Sequence, residues 1–305
     1  MVDLAQYIVG GLTTGTLYGL VALGIVLLYR SSRVLNFAHG DIATLAAFLG
    51  FSLVLRLQGP ALIPLAVEAT WWQFLPGMAV SVAVTAALAA AFYFLVLRPV
   101  KEATLLGRIV VTLGLALALN GLVSMIWGAD TKIFPFPISD VRVYRLGGVV
   151  ISHVGLALTA AGVTLMVLLY LLVQRTRVGL AMRAVAQDLV AAQALGIPSR
   201  RIFALTWGLA GALGAAAGIL AAPVTLLNPA MMLDPFLKGF AAAVLGGMDS
   251  LPGAVLGGWL LGLVESLFAG YISFAFKTSL AFLIIIFMLM VRPEGLLGRE
   301  YRRRV

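Results

Sequence analysis

The segment Val34–Asp41 holds the densest group of chemically capable side chains in this 305-residue sequence. An amide, an aromatic ring, an imidazole, a glycine and an acid share the entry to one predicted helix. Free backbone N–H groups at such a helix start suit a substrate carboxylate, and an aromatic ring suits an apolar side chain. A simple helix cap is the alternative, because asparagine is a good N-cap and aspartate a good first-turn acid. The candidate substrate-path residues here are Asn36, Phe37, His39, Gly40 and Asp41.

Other polar side chains lie inside or beside long apolar segments. Thr14, Tyr18 and Asn120 bring hydroxyl and amide groups to membrane depth, and Asn228 follows a later segment. We add all four to the predicted substrate path, with hydrogen bonding to neighbouring helices as the alternative role. Lys238 and Glu265 lie in adjacent late segments, where a charge is costly unless it is paired. The sequence therefore predicts a structural ion pair between these two residues.

Residues that would form an enzyme site are scarce. The chain has no cysteine, and its two histidines lack the carboxylate and histidine spacing of zinc sites; only Asp41 lies near His39. The sequence also lacks the Gly-x-x-x-x-Gly-Lys-Ser/Thr loop that binds ATP phosphates. We therefore expect a chain that is not an enzyme and holds no cofactor itself, with any ATP bound by partner subunits.

Composition places this chain in a membrane. Hydrophobic residues make up 62% of it and charged residues only 11%, too few to coat a soluble domain of this size. Apolar runs near the length of a bilayer crossing predict an all-α integral membrane protein forming a single transmembrane domain over 1–305. Eight or nine crossings are expected, depending on whether 236–247 spans fully or re-enters. The predicted segments are Ala5–Tyr29, Phe37–Leu57, Leu75–Leu97, Arg108–Trp127, His153–Val173, Ile202–Ala222, Phe236–Gly247, Gly253–Gly270 and Phe274–Val291.

Basic residues follow the predicted topology. Fifteen of the 21 lysines and arginines fall in alternate connections and in the tail after Val291, whereas five fall in the other connections. The positive-inside rule then puts the N-terminus outside and the C-terminus in the cytoplasm. This distribution accounts for the net charge of +9 without nucleic-acid binding.

Two short motifs indicate an internal repeat. Leu35–Ala38 (LNFA) and Leu227–Ala230 (LNPA) are 192 positions apart, and each precedes a helix of small residues. Because the first starts from the inner face and the second from the outer face, the pattern predicts an inverted repeat with broken helices, in halves 1–173 and 202–291. Chance matching in a chain rich in alanine and glycine is the alternative.

The connection 174–201 differs from the other loops. It predicts a helix from Gly179 to Leu195, ended by Gly196 at the C′ position and by Pro198. The apolar residues of this helix share one face and its polar face is thin. A docking element inserted into a partner is therefore favoured over a helix that lies on the membrane.

Several motifs together resemble one family, the branched-chain amino-acid ABC importer permeases of the LivH type. The resemblance runs from about Gly10 to Gly298. It is carried by Gly15–Tyr29 (GTLYGLVALGIVLLY), Val34–Asp41 (VLNFAHGD), Arg177–Gly179, Ala194–Ile197 (ALGI), Ala241–Gly258 (AAAVLGGMDSLPGAVLGG) and Val291–Gly298 (VRPEGLLG).

The resemblance implies a permease subunit that moves its substrate across the inner membrane by alternating access. It implies three kinds of protein partner: a related second permease subunit, two cytoplasmic ATPase subunits and an external substrate-binding protein. Membrane lipid is the further partner that the apolar composition predicts. Loop 174–201 would be the coupling segment, with Arg183, Asp188 and Gly196 providing contacts or local geometry for the ATPase. Members of this family also import urea and aromatic acids, so these substrates stay open beside branched-chain amino acids. A passive facilitator working alone is the competing class.

Overall fold

Helices make up most of the computed structural model, which describes residues 2–58, 69–99, 104–139, 143–146 and 148–298. Some of the basic residues counted for the predicted topology lie outside the described ranges. They are Lys101, Arg142 and those in the tail 299–305. The described residues form α1 (Val2–Ser32), α2 (His39–Gln58), α3 (Trp71–Phe92) with a π-helical end (Tyr93–Leu97), α4 (Leu105–Trp127), β1 (Val143–Leu146), β2 (Val149–Ser152), α5 (His153–Arg175), α6 (Arg177–Gln187), α7 (Leu189–Ala194), α8 (Ser199–Thr225), α9 (Leu233–Gly246), α10 (Leu251–Tyr271) and α11 (Lys277–Val291).

The all-α membrane fold expected from composition is confirmed. Seven of the helices in the described ranges are long and apolar enough to cross a membrane, namely α1 to α5, α8 and α10. The other two predicted segments correspond to shorter helices, α9 with 14 residues and α11 with 15. All nine apolar segments are therefore helices, and the expected total of eight or nine crossings is approximate because α9 is short.

Helix α1 lies at the centre of the bundle. Every residue from Gly15 to Leu28 is buried, although the helix is apolar around its whole circumference. A helix that is apolar on all sides needs apolar neighbours on all sides. Here α5, α8, α9 and α10 supply them.

Small residues allow α1 and α10 to pack with their backbones in contact. A Cβ added at Gly15 would lie 2.8 Å from the Gly258 carbonyl oxygen, and one at Gly11 would lie 2.9 Å from that of Gly262. Because residue 11 faces 262 and residue 15 faces 258, the two helices are antiparallel. Such small-xxx-small spacings drive helix association in lipid, where the hydrophobic effect between helices is absent.

Replacing Gly258 by alanine is expected to separate α1 from α10. Its new methyl group would overlap the backbone of Gly19, and overpacking of this kind costs about 1–3 kcal/mol. We expect thermal unfolding of the purified protein to begin several degrees lower. Gly121→Ala is the matched control, since a Cβ there has nothing within 4 Å. Equal melting of the two variants would contradict the role given to Gly258.

Loop 174–201 corrects one prediction. The expected single helix from Gly179 to Leu195 is two helices, α6 and α7, divided at Asp188. Asp188 is extended, and its carboxylate accepts hydrogen bonds from the N–H groups of Val190 and Ala191, both at 2.9 Å. Aspartate competes in this way for backbone donors and starts a new helix where the apolar pattern alone indicates continuation.

Two broken segments connect long helices to α2 and α9 with the same local geometry. The Asn36 side chain accepts from the Ala38 N–H at 3.1 Å, and the Asn228 side chain accepts from the Ala230 N–H at 3.0 Å. Each segment also begins with a non-glycine residue in the left-handed region, Arg33 at φ 53° and Leu226 at φ 62°. In both places an asparagine thus supplies the hydrogen bonds that the interrupted helix no longer provides.

Candidate functional site

The N-terminal ends of α2 and α9 meet in the interior of the bundle. A Cβ added at Gly40 would lie 3.0 Å from the Phe236 Cβ and 3.3 Å from the Met232 carbonyl oxygen, so a larger residue here would push the two helix starts apart. The rings of Phe37 and Phe236 pack edge to face with their centroids 6.4 Å apart. Both helix starts therefore present their positive ends to one region.

Helix α4 contacts both broken segments through two polar side chains. The Thr112 hydroxyl accepts from the Phe37 N–H at 3.4 Å and lies 3.3 Å from the Leu35 carbonyl. The Asn120 amide donates to the Pro229 carbonyl at 3.0 Å. Sequence reasoning named Asn120 but missed Thr112, whose signal was a hydroxyl eight residues earlier in the same apolar helix.

A cavity of about 350 Å³ lies between α2, α4 and α9 at the depth of the middle of α4. Its polar side chains are Asp41, Thr44 and Asn120, and the rest of its wall is apolar. The carboxylate of Asp41 neighbours the Asn120 amide. This volume falls within the range of small-ligand sites. The apolar lining consists of Phe37, Gly40, Leu113, Ala116, Leu117, Pro229, Ala230, Met232, Leu233, Phe236 and Leu237.

The structure places the predicted path residues in three positions. Phe37, Gly40, Asp41 and Asn120 line the cavity. Asn36 and Asn228 support its walls from the broken segments, through the hydrogen bonds given above. Thr14, Tyr18 and His39 lie elsewhere: Thr14 is exposed and bonds within its own helix, Tyr18 faces α10, and His39 is buried against α1 and α8.

The Lys238 and Glu265 side chains are buried members of a polar cluster between α9, α1 and α10. Lys238 is 1% exposed, and its Nζ lies 2.5 Å from Glu265 Oε1 and 2.8 Å from Asp234 Oδ2. The Tyr18 hydroxyl donates to Glu265 Oε2 at 2.8 Å. The cluster therefore joins α1, α9 and α10 by charge-assisted hydrogen bonds and holds the short helix α9 in place.

Comparison with known proteins places the chain in a family. Residues 7–291 match a family model described as the branched-chain amino acid transport system / permease component. The chain belongs to this family. It is 33% identical over 306 residues to the high-affinity branched-chain amino acid transport system permease protein BraD of Pseudomonas aeruginosa, covering 98% of this chain and 97% of BraD. It is 29% identical over 304 residues to the corresponding permease protein LivH of Salmonella typhimurium, covering 98% and 97%.

The family and the apolar helices together make this permease a multi-pass protein of the inner membrane. It is a transport component rather than an enzyme, and a component of this kind works with ATPase and binding-protein partners in general. A more distant relative is the probable branched-chain amino acid transport permease protein LivH of Methanocaldococcus jannaschii. It is 28% identical over 311 residues, covering 96% of this permease and 92% of its own length.

The three predicted coupling residues of the permease have different surroundings. The Arg183 guanidinium donates to the Gln174 side chain at 2.8 Å and to its backbone carbonyl at 3.3 Å, which ties α6 to the end of α5. Asp188 is exposed and caps α7. Gly196 has φ 80° and follows α7 at the C′ position, as its sequence context predicts. Arg183 thus orients the loop, whereas Asp188 and Gly196 shape its exposed end.

Proposed function

We propose that this permease moves branched-chain amino acids inward across the membrane as one subunit of an ABC importer. The observation that carries the proposal is the mid-depth cavity at the meeting point of two helix starts. Its apolar walls suit a branched aliphatic side chain, and its few polar groups are concentrated at Asp41 and Asn120. The printed names of its relatives BraD and LivH support the same substrate class.

The polar groups of the cavity match a zwitterion. The Asp41 carboxylate suits a substrate ammonium group, and the positive ends of α2 and α9 suit a substrate carboxylate. Urea carries neither charge, and an aromatic acid lacks the ammonium group. An amino acid therefore makes both of these charge-complementary contacts in the cavity, whereas urea makes neither and an aromatic acid makes only the one through its carboxylate.

The cavity is open on the side of α4, where Leu113 and Leu117 are exposed. In our proposal the related second permease subunit covers this side, so the substrate passes between the two subunits. The matched hydrogen bonds of Asn36 and Asn228 support the inverted repeat with halves 1–173 and 202–291. In alternating access, the two halves rock around the broken segments and open the cavity to one face at a time.

ATP hydrolysis on two cytoplasmic partner subunits drives this motion in our proposal, and an external binding protein delivers the substrate. The N-terminus lies outside and the C-terminus inside, as the basic residues indicate. Loop 174–201 receives the movement of the ATPase subunits through the exposed end of α7. A mechanical signal needs a rigid connection to the bundle, and the Arg183–Gln174 contact provides one.

Uptake by the complete transporter in vesicles tests this proposal. We expect ATP-dependent accumulation of leucine in preference to urea and phenylacetate. Asp41→Asn should reduce leucine uptake about tenfold or more, because a charge-assisted contact to a buried ammonium contributes about 1.5–3 kcal/mol. Asp130→Asn, an exposed acid outside the cavity, is the control. Leucine flux without ATP would instead identify a passive facilitator.

Gly196→Val is expected to separate ATP hydrolysis from uptake. Valine tolerates φ 80° poorly, so the chain after α7 must change direction even though a Cβ there meets nothing within 4 Å. We expect ATPase activity to continue in reconstituted vesicles while leucine uptake falls several-fold. Gly114→Ala is the control, since this helical glycine is also unobstructed. Unchanged uptake per ATP hydrolysed in Gly196→Val would rule out the coupling role.

A further inference from the structure

A second, larger cavity lies on the face of the bundle that carries loop 174–201. Its volume is about 710 Å³, and five arginine side chains line it. They come from the end of α1, the connection after it, the end of α3, the start of α4 and the start of α8. The set is Arg30, Arg33, Arg98, Arg108 and Arg200.

The charged side chains that line this cavity are all positive. Among the described residues that line it, none is acidic. Arg33 is paired with Asp249 at 3.0 Å and Arg30 also has an interaction partner, so the argument rests on Arg98, Arg108 and Arg200. The positive-inside rule accounts for arginines on this face, but it does not require three separate elements to direct theirs into one cavity. Like charges brought together in this way repel one another unless an anion lies between them.

The rest of the wall mixes apolar side chains with polar ones, and one of its residues carries an unpaired donor. The polar side chains are Ser31, Ser32, Tyr93, Gln193 and Ser199. Val34, Leu97, Val185 and Phe203 line the cavity beside the arginines. Trp207 also lines it, and its indole Nε1 is buried without a hydrogen-bond acceptor in the part of the chain that the structure describes. A buried donor of this kind requires a partner, which a bound oxyanion would supply.

We infer that this cavity binds the phosphate group of an anionic phospholipid. Guanidinium groups match phosphate oxygens in geometry and charge. The apolar part of the wall suits the start of an acyl chain. Leu95 and Leu106, each two positions along the chain from a lining residue, are 75% and 71% exposed and extend the apolar surface toward lipid. A zwitterionic amino acid fits less well, because its ammonium group would face arginines without an acid. Basic pockets between membrane helices are suited to such headgroups.

Lipid retention by the purified chain tests the inference. We would add phosphatidylglycerol or phosphatidylcholine to the delipidated protein and measure binding by native mass spectrometry. The variant pair is Arg108→Gln with Arg200→Gln, and the matched control pair is Arg201→Gln with Arg292→Gln. The control residues are exposed, lie on the same face and remove the same charge, but neither lines the cavity.

One phosphatidylglycerol should bind tightly to the wild-type chain and to the control pair, and about tenfold or more weakly to the cavity pair. Equal weakening in both pairs, unchanged binding in the cavity pair or equal binding of phosphatidylcholine would each overturn the inference. Inorganic phosphate that binds as tightly as the lipid would show a free-anion site instead. If the cavity pair fails to fold, Arg200→Gln against Arg201→Gln gives the same comparison with single exposed residues.

The assembled transporter provides a second readout. The cavity pair should still copurify with the ATPase subunits, because the inferred ligand is a lipid. Loss of the ATPase together with unchanged phosphatidylglycerol binding would show that an acidic surface of the partner occupies the cavity, and would overturn the lipid assignment.

Discussion

Lys238→Met is expected to prevent the permease from accumulating as a folded protein. Its ammonium group lies between Glu265 and Asp234, and removing it leaves the Glu265 carboxylate buried with one hydroxyl donor, from Tyr18. Removing one partner of a buried pair costs about 3–5 kcal/mol, which is a large part of the stability of most domains. The measurement is the yield of monodisperse protein after gel filtration, followed by thermal unfolding of what remains.

A second variant separates charge from packing at this cluster. Lys238→Met combined with Glu265→Gln removes both charges, and the glutamine still accepts from Tyr18. We expect this double variant to recover much of the folded yield that Lys238→Met loses, since no uncompensated carboxylate remains. Asp234→Asn is the control: Asp234 is 53% exposed, and a solvated ion pair contributes little. Strictly additive losses in the double variant would refute the predicted structural ion pair.

The membrane helices were predictable from sequence because the thickness of the bilayer sets the length of a helix that crosses it. A crossing needs about 20 apolar residues, so each long apolar run indicates one helix whatever its neighbours are. Loop 174–201 lacks this constraint, and there the apolar pattern predicted one helix where Asp188 divides two. The left-handed Gly196 was predictable because its conformation depends on its own missing Cβ and on the helix end beside it.

The candidate site was only partly predictable for a related reason. Phe37, Gly40 and Asp41 lie within five residues of one another, so a local pattern indicated them together. The contacts of Thr112 and Asn120 to the two broken segments span 75 residues or more, and no local pattern carries such pairings. His39 belongs to the same local pattern as Gly40, yet packing against distant glycines turns it away from the cavity.

Gly24→Ala is expected to displace the start of α2 and to abolish most uptake. The imidazole of His39 is 1% exposed and lies between Gly24 of α1 and Gly214 of α8. A methyl group at position 24 would overlap the imidazole, and one at Gly214 would lie 3.0 Å from its Cε1. The ring cannot move away without moving Gly40 and Asp41, which line the cavity. We expect a destabilisation of about 1–3 kcal/mol and a several-fold loss of leucine uptake.

A double variant tests whether His39 is a structural residue or a substrate ligand. Both imidazole nitrogens lack a hydrogen-bond partner within the described residues, so replacing His39 by alanine removes two unsatisfied polar atoms along with its volume. In the double variant Gly24→Ala with His39→Ala, the new methyl group enters the vacated space. We therefore expect uptake and melting temperature closer to wild type than in Gly24→Ala alone. Recovery would identify His39 as a spacer between α1 and α8, because a side chain that binds substrate cannot be replaced by a methyl group on another helix.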